Sequence, residues 1–254
     1  MRTLMTCALG GTGLYDLDDR IYINDIQESP VVSVETADRP YYGQYLVGVT
    51  AKNTLTVTVR FMIKEQDRAA RMAVIQKICG WATRGYLESN IHPNQRLYVV
   101  CTQLPEVKTY AWHEEMAVVF TAYGEACWEE ITPVSYTVAS ATNAASTTFK
   151  PGGTRPCFLE AEITNNANSA LTSVVLTANG ESITISGISV AKNQKVILTY
   201  DEWHRMVITA NGVSVMDKRT GADDLMLNAG VSNSVSCVTN VACKTIFYAR
   251  GLYR

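Results

Sequence analysis

The stretch Phe61–Leu87, FMIKEQDRAARMAVIQKICGWATRGYL, decides the fold, because it carries the one helix pattern in a chain otherwise written as strands and turns. Val74, Ile75, Ile78, Trp81 and Ala82 fall on one face of a helix, and Met72 and Cys79 widen that stripe. Gln76, Gly80 and Thr83 fall on the other side. Glu65 and Asp67 are expected in the first turn, where carboxylates oppose the positive end of the helix dipole, and Gly85 is the expected stop. Just upstream, Leu55, Val57, Val59, Phe61 and Ile63 alternate with Thr54, Thr56, Thr58, Arg60 and Met62. A half-buried strand therefore feeds the helix, which reads as a cover for one sheet face rather than a row of reactive groups.

Working back towards the start, LGGTGLYDLDD (9–19) reads as a turn-rich lead-in to the strand RIYINDI. Gly10, Gly11 and Gly13 lack the Lys-Ser/Thr and the following helix of a phosphate cradle. Asp16, Asp18 and Asp19 lack the Gly and Glu of a calcium loop and read as a solvated turn. A short strand is expected at Val31–Glu35, then a loop, DRPYYGQYLVG (38–48). On that loop Tyr41, Tyr42 and Tyr45 suit either an interface or a lid on the local core.

Downstream of the helix, RLYVVCT (96–102) and EMAVVFTAY (115–123) read as strands, separated by a polar stretch holding Pro105, Trp112 and His113. A change of style follows Trp128. VSYTVASATNAASTTFKPGGTRP is low in charge, and beyond it come short strands at Cys157–Thr164, Ser173–Ala178, Ser182–Ile188, Lys195–Tyr200, Met206–Ala210 and Val213–Met216, with Thr245–Tyr253 closing. Asn179-Gly180 and Asn211-Gly212 are hairpin turns, since both residue types tolerate positive φ. The expected architecture is mainly β in two domains. Residues 1–133 form a β-sheet or barrel with one helix, and residues 134–254 form an antiparallel β-sandwich.

Composition narrows function. In 254 residues, 47% hydrophobic content suffices for a buried core. The 22 basic residues against 24 acidic give a net charge of −2 with no Lys/Arg block, which argues against gripping nucleic acid. No run reaches the roughly 18 apolar residues of a membrane helix, and MRTLMTCALGGTG is short for a secretory signal; the expectation is a soluble, unexported chain. Seven scattered cysteines (Cys7, Cys79, Cys101, Cys127, Cys157, Cys237, Cys243) with no C-x-x-C read as small buried hydrophobes in a reducing compartment, while leaving room for one disulfide.

Catalytic constellations are missing. No Gly-x-Ser-x-Gly elbow is present, and the neighbourhoods of His92, His113 and His204 offer no acyl-transfer arrangement. HEEMA (113–117) starts like a zinc-protease helix without the second histidine. Glu114-Glu115, Glu129-Glu130, Asp201-Glu202 and Asp223-Asp224 are adjacent on strands or turns, so they point apart and read as solvated edges rather than a glycosidase pair. No catalytic residue, cofactor or metal is expected. The one candidate binding residue is Trp203, in the cluster Asp201-Glu202-Trp203-His204-Arg205, where the indole either stacks on a sugar or plugs the core.

The order IYINDI, TVTVRFMIKEQDRAARMAVIQKICGWATRGYL, then RLYVVCTQLP and MAVVFTAYGEACWEE, resembles the N-terminal belt domain of the phage distal tail protein family, Dit. FKPGGTRPCFLEAEIT, followed by two hairpins and KTIFYARGLYR, resembles that family's galectin-like domain, although Cys127 stands where the family suggests a proline or bulky apolar residue. The resemblance implies a virion structural protein at the tip of a long non-contractile tail, assembled in the bacterial cytoplasm. It further implies a homohexameric ring joining the tail tube protein to tail-tip and receptor-binding proteins, with a channel that DNA crosses without specific binding. The galectin sugar motifs do not occur here, so sugar binding does not follow from it. A carbohydrate-binding adhesin module, a tail tube component and a glycan hydrolase are the competing readings.

Overall fold

In the computed structural model, residues 4–39, 43–106, 115–123, 126–138 and 143–254 are described, with backbone alone for 31–39 and 43–53. The chain divides into two compact units, Met1–Trp128 and Glu129–Arg254.

The first unit holds β1 (Cys7–Leu9), β2 (Thr12–Gly13), α1 (Leu14–Leu17), β3 (Ile21–Arg39), β4 (Gly43–Ile63), α2 (Arg68–Trp81), β5 (Arg84–Ser89), β6 (Gln95–Gln103) and β7 (Met116–Ala122). The strands form an antiparallel sheet in the order β2-β1-β5-β6-β7-β4-β3. As the periodicity requires, α2 buries Val74, Ile75, Ile78 and Trp81, while Gln76 and Gly80 are exposed. The sheet offers it Val57, Val59, Phe61, Leu97, Val99, Val118 and Phe120, all at most 1% exposed. The helix starts at Asp67, whose carboxylate accepts from the Ala70 N–H at 2.7 Å.

Several expectations for this unit are corrected. Glu65 lies upstream of the cap, not in the first turn; its carboxylate accepts from the Asp67 N–H at 2.9 Å and from Arg20 at 2.7 Å. Gly85 is inside β5; the helix has already stopped at Trp81, where the Ala82 N–H returns to the Ile78 carbonyl and the Thr83 carbonyl is taken by the Cys101 N–H. The short strand at Val31–Glu35 and the loop at 38–48 belong to one long hairpin of β3 and β4. Pro30 is tolerated because β3 is the sheet edge, and register shifts absorb the irregularity that reads as loop in the sequence. Tyr41 and Tyr42 lie outside the described residues, as do Trp112 and His113.

The glycine-rich lead-in is a hairpin turn, with Gly10 (φ +58) and Gly11 (φ +82) in the left-handed region. Asp18 is no solvated turn residue. Its carboxylate is 6% exposed and receives Arg20 Nε at 2.7 Å and Lys77 Nζ at 3.0 Å, tying α2 to the start of β3. Those two cations hold its carboxyl well below the usual carboxylate range.

The second unit takes in the end of β8 (Trp128–Glu130) and holds β9 (Val134–Val138), β10 (Ala144–Phe149), β11 (Cys157–Asn165), β12 (Leu171–Ala178), β13 (Glu181–Val190), β14 (Lys195–Tyr200), β15 (Met206–Ala210), β16 (Val213–Ser214), β17 (Arg219–Gly221), β18 (Met226–Leu227), β19 (Asn233–Thr239), β20 (Cys243–Ala249) and β21 (Leu252–Tyr253). It is an antiparallel β-sandwich. One sheet runs β10-β19-β12-β13-β17 and the other β16-β15-β14-β11-β20-β9, with β18 on β11. Each long strand buries alternate residues: Leu159, Ala161 and Ile163 on β11, Val174 and Leu176 on β12, Phe247 and Ala249 on β20. Asn179-Gly180 and Asn211-Gly212 are the hairpin turns, every φ positive.

Two fully buried amides complete this core. Asn165 donates to the Ser169 and Val190 carbonyls and accepts from Ala167 N–H, each at 2.9 Å. Asn233 donates to Asn228 and Val231 carbonyls at 2.9 Å and accepts from Asn179 and Asn228 at 2.8 Å. Burial without these bonds would be costly, so they fix the ends of their strands. Glu129 and Glu130 are likewise not a solvated edge: Glu129 is 8% exposed, and Glu130 accepts from Tyr253 Oη at 2.7 Å and Gly251 N–H at 3.0 Å.

Candidate functional site

Among the described residues no group of three or more His, Cys, Asp or Glu side chains is placed to hold a metal ion. No described helix is long and apolar enough to cross a membrane. The cysteines are free thiols; Cys7, Cys127, Cys157, Cys237 and Cys243 are buried, and burial pushes Cys7, Cys157 and Cys237 up to about 12.

Two of the three histidines are described, and both pack rather than converge. His92 sits with Nε2 2.7 Å from Glu28 Oε1 on β3, and its ring stacks on Trp128 at 4.4 Å. His204 lies 5.5 Å from the Phe158 ring in the other unit. No nucleophile or second acid joins either of them among the contacts described.

The first notable feature is the β3–β4 hairpin. β4 pairs with β7 only from Leu55 to Phe61, whereas its pairing with β3 continues out to Arg39↔Gly43. Among the described residues, Gly43 to Thr54 of β4 pair with β3 alone, a two-stranded ribbon of roughly 40 Å beyond the β7 pairing. An isolated two-stranded ribbon is marginally stable in water. The sequence pattern showed the inner part of β4 but not this extension.

The second feature is the turn that carries Trp203, the candidate from the sequence. Asp201 organises it: its carboxylate accepts from Trp203 N–H and Arg205 N–H at 2.9 Å and pairs with the Arg205 guanidinium at 2.7 Å. Burial works to raise the Asp201 carboxyl, but these donors win and hold it below its ordinary value. His204 takes a left-handed backbone (φ +57), and Trp203 is left 42% exposed rather than plugging the core. The Phe158 ring, beside His204, is stacked on Tyr200 at 4.3 Å. Sequence reasoning found Trp203 and the Asp201 cluster but missed Phe158, which comes from another strand.

No protein-family model matches the sequence, and no curated protein does. Among solved structures, the chain is similar to the crystal structure of the Dit protein of phage SPP1, described as a paradigm of the hub adsorption apparatus in phages infecting Gram-positive bacteria. The TM-score is 0.67 at 12% identity, over 98% of this chain and 99% of that one. The shared property at that identity is the fold: this chain has the two-domain, mainly β fold of a Dit-like protein.

Proposed function

We propose that this chain is a distal tail hub protein of a long-tailed phage or prophage, a structural ring component rather than an enzyme. The observation that carries the reading is the end-to-end fold similarity to the SPP1 hub protein, which spans both units without a large insertion on either side. In this reading residues 1–133 are the ring-forming belt and residues 134–254 a galectin-like domain. The ribbon of β3 and β4 lies on the next copy, and closed repetition of that contact gives a homohexamer with a central channel. The ring joins the tail tube protein to tail-tip and receptor-binding proteins, and DNA passes without specific binding. The net charge of −2 supports that last point.

The test is where the protein sits. Gold-labelled antibody against this chain should mark only the distal end of intact tails. Label along the whole tail would make it a tube component instead, and tails without label would remove the tail reading.

A further inference from the structure

We propose that the neighbouring free edges of β9 and β10 take up one extended, uncharged strand of another protein, added to β10 by main-chain hydrogen bonds. This goes beyond the hub role and does not depend on it. Among the described residues, β9 ends one sheet of the sandwich and β10 ends the other. The two strands come close to each other, so both edges open on the same side. Native edges are commonly guarded by shortness, charge, proline or a bulge. The far edges of the two sheets follow that rule, since β16 has two residues and β17 three, with Arg219 on β17. β9 and β10 do not. VSYTV (134–138) and AASTTF (144–149) hold no charge and no proline, and each pairs with its neighbour without a register shift.

The register shows where a strand is missing. Tyr136 stands opposite Phe247, and Val134 opposite Ala249. Residues opposite each other in an antiparallel ladder share a face, and both β20 residues are fully buried, so Val134 and Tyr136 point into the sandwich. Yet they are 42% and 46% exposed. On β10, Ala145 and Phe149 face the same interior and are buried. The interior is thus covered at β10 and bare at β9, as it is when a sheet stops one strand short beyond β10. A strand added there lays alternate side chains on Val134 and Tyr136; main-chain bonds give affinity and the bare slot gives preference. Its other side chains stand beside Ser146 and Thr148 on the outer face, where hydroxyl residues pair well across strands. Neither edge strand offers a counter-charge, and burying an unpaired charge is costly. The occupant is therefore a segment apolar on one face and rich in Ser or Thr on the other. A second copy adding β10 to β10 fits less well, because the Ala145 and Phe149 side chains of that copy are already buried in its own core.

The probe is a panel of fluorescein-labelled synthetic peptides, seven residues of Thr alternating with Val, Ile or Phe between solubilising lysines. Anisotropy with the full chain should show saturable binding of at least one peptide, and hydrogen exchange should slow at the β10 amides. The same peptide N-methylated at every second amide, made in both phases, should lose binding in the phase that faces β10. Tyr136→Arg puts a charge on an already exposed side chain and should weaken binding about tenfold or more. Val213→Arg, on β16, should leave affinity unchanged, and both variants should melt near the parent temperature. Silence across the panel overturns the proposal. So does binding that survives both N-methylated phases or Tyr136→Arg, or an oligomer that Tyr136→Arg dissociates, which would make the occupant a second copy.

Discussion

The indole N–H of Trp81, at the end of α2, donates to the backbone carbonyl of Thr12 across 2.9 Å, and its ring meets Phe120 edge-on at 5.8 Å. One side chain thus joins the helix, the β1–β2 hairpin and the centre of the sheet. Trp81→Ala should lower the stability of the first unit by roughly 3–5 kcal/mol. Trp81→Phe keeps an aromatic edge but strands the Thr12 carbonyl, and should cost less, about 1–3 kcal/mol. Urea unfolding of the full chain measures both; equal and small losses would mean the indole is not a core element.

Acid should loosen the same region through Asp18. Its folded carboxyl titrates below the ordinary range because Arg20 and Lys77 bond it. The stabilisation is therefore complete above the unfolded carboxylate value, about pH 4, and is lost as pH falls through the lower folded value. Glu65, lowered by the Asp67 N–H and then by Arg20, acts with the same sign. The melting temperature of the first unit should fall on acidification, and Asp18→Asn should be less stable at neutral pH with a shallower acid slope. An unchanged slope in that variant would remove Asp18 from the account.

In the second unit, Gly153 has φ +95, and a Cβ there would sit 2.5 Å from the Leu252 carbonyl oxygen. Gly153→Ala combines left-handed strain with a backbone clash and should destabilise by about 1–3 kcal/mol. Gly180→Ala, at φ +97 with nothing within 4 Å, carries the strain without the clash and should cost less. Thermal melts of the pair separate the two contributions.

Thiol chemistry should sort the cysteines by burial. Cys79 and Cys101 are half-buried and the other five buried. A small thiol reagent at neutral pH should modify those two first, with the rest reacting only in denaturant. Peptide mass mapping reads the order, and early labelling of Cys157 or Cys237 would contradict the packing described.

The sequence carried the parts of this fold that rest on strong periodicity. The α2 stripe, the inner half of β4 and the Asn-Gly hairpins each have a local physical signature. It failed where tertiary context overrides local signals. β10, AASTTF, reads as linker because its residues are small and weakly apolar, yet it pairs with β19 along its whole length. The outer ribbon was hidden because Pro30, Gly43 and Gly48 look like breaks; Pro30 lies on the edge strand β3, and the two glycines lie on the part of β4 beyond its described pairing with β7. Of the Asp201–Arg205 turn, Trp203 stood out by its polar neighbours. Phe158, whose ring lies beside His204, did not, since strand register alone brings it there.

The central claim is closed assembly, and the most direct measurement is the native mass of the purified chain by light scattering, with negative-stain images of the same fraction. A six-fold particle with a central hole is expected, alone or on addition of the tail tube protein. A monodisperse monomer at micromolar concentration, with no ring in either condition, would contradict it.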